Sequence, residues 1–190
     1  YLELMQMGNM RLPAKERGFL QSARESSEEL MLLVNNVLDV TSIIAGQTPH
    51  CGELSLASAV QSVLEQIDPR NVQAYQIEVD ISEEMVVWAD QQFLRQIFRN
   101  LLSNAFKYTP QETTIRISAV LVEQEPPYVQ VSVKDEGPGI PAEELDQLFG
   151  KFVRLERDRS STVAGSGLGL YICKQLVESM HGKIWVESTG

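Results

Sequence analysis

The chain has little of several things, and each shortage removes a class of protein. It has two cysteines, Cys51 and Cys173, in no metal-ligand spacing. That is too few for a disulfide framework and suits a reducing cytosol. Its apolar stretches all fall well short of the ~18 residues of a membrane helix, so no membrane contact is expected of this stretch. No segment at the start has the basic, apolar and small-residue layout of a secretion signal. Twelve glycines and eight prolines in 190 residues exclude a collagenous or low-complexity chain. Positive charge is also short: 16 Lys plus Arg stand against 26 Asp plus Glu, a net charge of −10. A surface built to hold nucleic acid is thereby excluded, and any anionic ligand must be caught locally.

What is present divides in two. Gly8 to Pro13 carries turn chemistry, and between Ala14 and Ala45 only Gly18 interrupts a helical pattern. Leu20, Ala23, Ser27, Leu30, Val34, Val37, Thr41 and Ile44 follow alternating three- and four-residue steps, a heptad seam. At 1.5 Å per residue this helix would run about 48 Å, more than a domain of this size covers with its own chain. The expectation is a helical hairpin over residues 1–46 whose core a second copy completes; the alternative is a long helix packed on its own domain. Residues 47–52 read as a linker, and 53–190 as a separate domain.

In that domain the hydrophobic period switches repeatedly. Helices are predicted over Ser55 to Ile67, Gln91 to Tyr108 with Asp90 as cap, after Pro141, and over Leu168 to Met180. Strands are predicted over Gln76 to Ile81, Val86 to Trp88, Thr113 to Val122, Tyr128 to Lys134 and Lys183 to Glu187. The pattern predicts an α+β fold, a two-layer α/β sandwich with helices on one face of a mixed sheet.

Four segments carry possible chemistry. On the helix from Gln91, the residues Asn100, Asn104, Lys107 and Tyr108 share one side and make a narrow polar stripe in an otherwise apolar helix. The stripe either faces water or lines a ligand site; an Asn carbonyl is a hard ligand for Mg²⁺, and a Lys ammonium neutralises phosphate. Next, Val129, Val131, Val133 and Asp135 have one parity, so the carboxylate is expected to continue the apolar face and point inward. There it needs a donor such as an adenine amino group, and Gly137 and Gly139 let the backbone approach a flat base. A turn with a capping Asp is the alternative. Third, Gly165, Ser166, Gly167, Leu168 and Gly169 precede a helix, where exposed amides and the helix dipole favour phosphate; they have neither the Lys of a Walker loop nor the preceding strand of a dinucleotide fold. Between the two glycine segments, Gly150 to Ala164 holds four basic residues (Lys151, Arg154, Arg157, Arg159) against two acidic ones, a local +2. Its small, polar end suits a lid.

In chain order, Asn100 to Tyr108, Asp135 to Gly139, Leu148 to Arg154 and Gly165 to Leu170 resemble the N box, first glycine box, F box and second glycine box of the ATP-binding catalytic domain of sensor histidine kinases. The resemblance covers about Gly52 to Glu187, and the hairpin before it resembles the dimerisation and histidine-phosphotransfer region. It implies ATP and Mg²⁺ as cofactors, with Asn104 on the metal and Asn100 beside it, and Lys107 and Arg154 on phosphates. Tyr108 would meet the sugar or phosphate region. Asp135 would accept from the adenine amino group, with Gly137, Gly139 and Ile140 shaping the base pocket. Phe149 and Phe152 would anchor the lid, and Gly165, Ser166, Gly167, Leu168 and Gly169 would cradle phosphates. The implied partners are a second copy through the hairpin and a response-regulator receiver domain, and the implied activity is transfer of the γ-phosphoryl group of ATP to a histidine. Neither His50 nor His181 has the sequence context of that acceptor, so it is expected upstream of Tyr1, and this chain alone is not expected to phosphorylate itself.

Overall fold

The computed structural model describes residues 48–155 and 165–189 in full. Before Thr48 it describes only Glu16, Gly18, Phe19, Ala23 and Ser27, each helical, with Ser27 Oγ donating to Ala23 O at 2.8 Å. The rest of the heptad seam lies outside the described residues, as do residues 156–164.

The first elements are strand β1 (Gly52–Ser55) and helix α1 (Leu56–Leu64). Ser55 Oγ accepts from the Ser58 N–H at the start of α1, and Leu56, Val60 and Val63 bury one face at helical spacing. Helix α2 (Pro69–Ala74) follows, with Asp68 as cap and Pro69 in its first turn. Strands β2 (Gln76–Asp80) and β3 (Val86–Ala89) lead to the long helix α3 (Gln91–Tyr108). Asp90 caps α3, and Pro110 lies just past its end, at Thr109. Strands β4 (Thr114–Val122) and β5 (Tyr128–Lys134) form a hairpin. A single turn, α4 (Ala142–Leu145), and helix α5 (Gly169–Ser179) complete the described elements.

The sheet is mixed: β4 is central, parallel to β2 and antiparallel to β5. On β4, Ile115 and Ile117 are fully buried on one face, while Arg116 on the other pairs with Glu78 at 2.7 Å. The buried face meets Leu56, Val60 and Val63 of α1 and Phe98, Leu102 and Ala105 of α3, so the helices cover one side only. Each such side chain contributes roughly 1.5–3 kcal/mol relative to exposure. A second cluster joins α3 to α5 through Ile97, Leu168, Ile172, Cys173 and Leu176. Burial there pushes the Cys173 thiol up to about 12, so it is an inert core group.

Three features depart from the expected pattern. β1 lies where a linker runs into a helix by sequence, because its four residues become a strand only by pairing with β3, Glu53 opposite Trp88 and Leu54 opposite Val87. α2 was not expected, although Asp68 and Pro69 are a helix-start signal. Residues 183–187 alternate in burial as predicted, yet join no ladder among the described residues; alternation specifies which side chains face inward, not a pairing partner.

Candidate functional site

Helix α3 positions the site. Its apolar residues are claimed by two different cores, the sheet on one side and α5 on the other, which fixes its rotation and leaves a strip between them. Asn100, Asn104, Lys107 and Tyr108 occupy that strip; all four are half-buried and line one cleft of about 1680 Å³. They do not face open water.

Helix α5 runs antiparallel to α3. The Asp90 N–H donates to Met180 Sδ at 3.3 Å, Cys173 Sγ donates to Ile97 O at 3.8 Å, and Asn100 Nδ2 donates to Gly169 O at 3.4 Å. This pairing carries the second glycine segment onto the stripe. A Cβ on Gly165 would sit 3.9 Å from Lys107 Nζ, and one on Gly169 would sit 3.8 Å from Asn100 Cγ. Gly165, Ser166, Gly167 and Gly169 all line the cleft, while Leu168 turns inward and is 2% exposed. Leu168 therefore offers a backbone, not a side chain. No side chain caps α5 at Leu168, and Gly169 and Leu170 at its start line the cleft with Lys107 and Arg154, the end where a helix dipole favours anions.

Gly167 makes the closest join. Its φ is +69°, and a Cβ would lie 2.7 Å from both Phe152 C and Val153 O. Only glycine permits that backbone and that approach. The basic segment is thereby seated against the second glycine turn, with Arg154 and Phe149 lining the cleft. Phe152 does not anchor it: at φ +60° its side chain is thrown outward and is 69% exposed. Leu148 and Leu155, 7% and 8% exposed, hold the segment instead. The Lys151 ammonium also rests over the Tyr171 ring, 5.0 Å from its centre, a contact that sequence separation conceals.

The first glycine turn lines the cleft at the end of α3. Gly137 lies against the end of α3, where a Cβ would be 3.4 Å from Tyr108 O and 2.7 Å from Asp135 Oδ1. Asp135 lines the cleft but is exposed, not buried with the apolar face. The strand ends at Lys134, and Asp135 Oδ1 turns back to accept from the Gly137 N–H at 2.8 Å. The capping alternative and a place in the cleft lining thus coexist in one residue, since a carboxylate has further acceptor capacity. Gly139, at φ +70°, and Ile140 line the same wall. The Ile140 N–H donates to Ser188 Oγ at 2.8 Å, a tie from forty-eight residues away that no local pattern announces.

Of the two histidines, His50 is absent from the cleft lining, whereas His181 lies at its edge. His50 is exposed in the segment before β1. His181 is exposed with φ +62° just past α5, where its N–H donates to Glu178 O at 3.0 Å. Among the described residues no group of three or more His, Cys, Asp or Glu could cage a metal ion. A half-buried Asn104 amide lining the cleft has the oxygen chemistry that suits Mg²⁺, which commonly takes one or two protein oxygens and completes its shell with phosphate and water.

Residues 89–190 match the family described as histidine kinase-, DNA gyrase B- and HSP90-like ATPases. The chain is 36% identical over 172 residues to the adaptive-response sensory kinase SasA of Gloeothece citriformis, a match covering 89% of this chain and 43% of that protein. It is 34% identical over 186 residues to the circadian input-output histidine kinase CikA of Thermosynechococcus vestitus, covering 94% of this chain and 25% of the relative. The chain thus spans less than half the length of these curated relatives. Among solved structures, full-length ShkA in complex with AMPPNP superposes with a TM-score of 0.70 at 27% identity, over 95% of this chain and 38% of the other. The catalytic domain of histidine kinase ThkA gives 0.61 at 28% identity, over 73% and 88%.

Proposed function

The chain belongs to the histidine kinase-, DNA gyrase B- and HSP90-like ATPases, and on that premise we propose that it is the ATP-binding core of a two-component sensor histidine kinase. The observation that carries this reading is convergence: the α3 stripe, Asp135 with its glycine turn, Arg154 and the second glycine turn all line one cleft. In this reading Asp135 accepts from the adenine amino group, and Gly137, Gly139 and Ile140 form the wall against the base. Tyr108 lies toward the sugar. Lys107, Arg154 and the amides from Gly165 to Gly169 surround the phosphates, and Asn104, with Asn100 beside it, holds Mg²⁺. The metal, when bound, neutralises phosphate charge. What the chain itself supplies is positioning and compensating positive charge, which is most of what phosphoryl transfer asks of a protein.

The γ-phosphoryl group would pass to a histidine on a helical hairpin and from there to an aspartate of a response-regulator receiver domain. Residues 1–46 would belong to that hairpin and form a homodimer, 47–52 would be the linker, and 53–190 the nucleotide domain. Location in the cytoplasm follows from the nucleotide and the free thiols. Neither histidine of this chain serves as acceptor in this scheme.

Calorimetric titration with a non-hydrolysable ATP analogue and Mg²⁺ tests it. Asn104→Ala and Asp135→Ala should each weaken binding at least about ten-fold, near 1.4 kcal/mol, with circular dichroism unchanged. Wild-type affinity in both variants would refute the proposal.

A further inference from the structure

Asp90 is 7% exposed, the one buried carboxylate among the described residues. Its Oδ1 accepts from the Gln92 and Phe93 N–H groups at 2.8 and 3.0 Å, as a helix cap does. Its Oδ2 accepts from the backbone N–H of His50 at 2.7 Å, forty residues earlier in the chain. Its own N–H meets Met180 at the end of α5. The segment before β1, the start of α3 and the end of α5 therefore share one residue. At the far end of the same antiparallel pair, about 21 Å along α3 at 1.5 Å per residue, lie Asn104, Lys107 and the second glycine turn.

We propose that Asp90 is a positioning residue that fastens the segment entering from the N-terminal side to the helix pair bearing the nucleotide cleft, so that each end steadies the other. This rests on the nucleotide reading above. A buried carboxylate loses heavily when one oxygen is left without a donor. Withdrawal of His50 is therefore resisted for as long as the cap keeps Asp90 in place. A ligand that stiffens α3 and α5 holds the cap more firmly, and by reciprocity a held segment favours that ligand. The cap alone does not require Asp, because Asn or Ser also caps helices. The second oxygen is the distinguishing feature: the amide nitrogen of Asn donates and cannot accept from the His50 N–H.

Amide hydrogen exchange on the 190-residue chain decides the matter, using wild type, Asp90→Asn and His50→Ala, with and without Mg²⁺ and a non-hydrolysable ATP analogue. In wild type and His50→Ala, which keeps the backbone donor, exchange at residue 50 should be slowed about ten-fold or more, as one charge-assisted hydrogen bond implies. The nucleotide should slow it further. Asp90→Asn should lose both effects while Gln92 and Phe93 stay protected. Unprotected exchange at His50 in wild type, or an unaltered nucleotide response in Asp90→Asn, overturns the proposal. If the analogue does not bind wild type at all, the nucleotide reading fails and the coupling with it; protection of His50 without ligand still decides whether Asp90 holds the segment.

Discussion

The two glycine turns that line the cleft are built on different principles. The first, at Gly137, is held by a side chain: Asp135 folds back onto its amide, and the wall behind it is the last carbonyl of α3. The second, at Gly167, is held by main chain against main chain, with Phe152 and Val153 at distances that admit no Cβ. One turn adapts through a rotatable carboxylate; the other is locked. A flat base needs a surface that can settle against it, whereas phosphates need amides already in place, because donors that must reorganise give up much of their electrostatic advantage.

Substitutions separate the two designs. Gly167→Ala should be the most damaging, since it forces a left-handed alanine into backbone atoms. About 3 kcal/mol of stability should be lost, or the Phe152–Val153 contact abandoned, with chemical denaturation measuring the first and nucleotide titration the second. Gly137→Ala should cost about 1 kcal/mol, because the nearest obstacle is Asp135 Oδ1, which can swing away. Its mark should instead be weaker adenine-nucleotide binding with little change in phosphate binding, read by comparing ATP with tripolyphosphate. Gly165→Ala meets only the Lys107 ammonium at 3.9 Å and should stay within about 0.5 kcal/mol of wild type in the same denaturation assay. Equal losses at Gly167 and Gly165 would erase the distinction drawn between a locked turn and open ones.

The legibility of these features from sequence follows the range of the forces that make them. Helix α3 was readable to its ends because an Asp cap, a terminal proline and an apolar period are all local. The polar stripe was readable as a stripe; that it looks into a cleft depended on two separate cores gripping the helix, a tertiary fact. Asp135 escapes the parity of its strand because the strand stops one residue earlier, at Lys134. The resemblance implies Phe152 as an anchor, but its positive φ leaves the side chain exposed, and it is Leu148 and Leu155 that are buried there. β1 exists through β3, and the ties from Asp90 to His50 and from Ile140 to Ser188 join residues forty or more positions apart, beyond any periodic signal.

The seam between Gly167 and the backbone at Phe152 and Val153 also bears on how sequences of this kind can diverge. Residues 154–166 are a ring whose two ends already touch, so the entropy of closing it changes by only about 0.6 kcal/mol for each doubling of its length. Between positions 156 and 164, changes in length and charge cost little in loop closure, while Arg154, Gly165 and Ser166 keep their places in the cleft and the contact at Gly167 tolerates almost nothing. Variation in the length and charge of that connection is thus cheap, whereas variation in the contact on which it starts and ends is not.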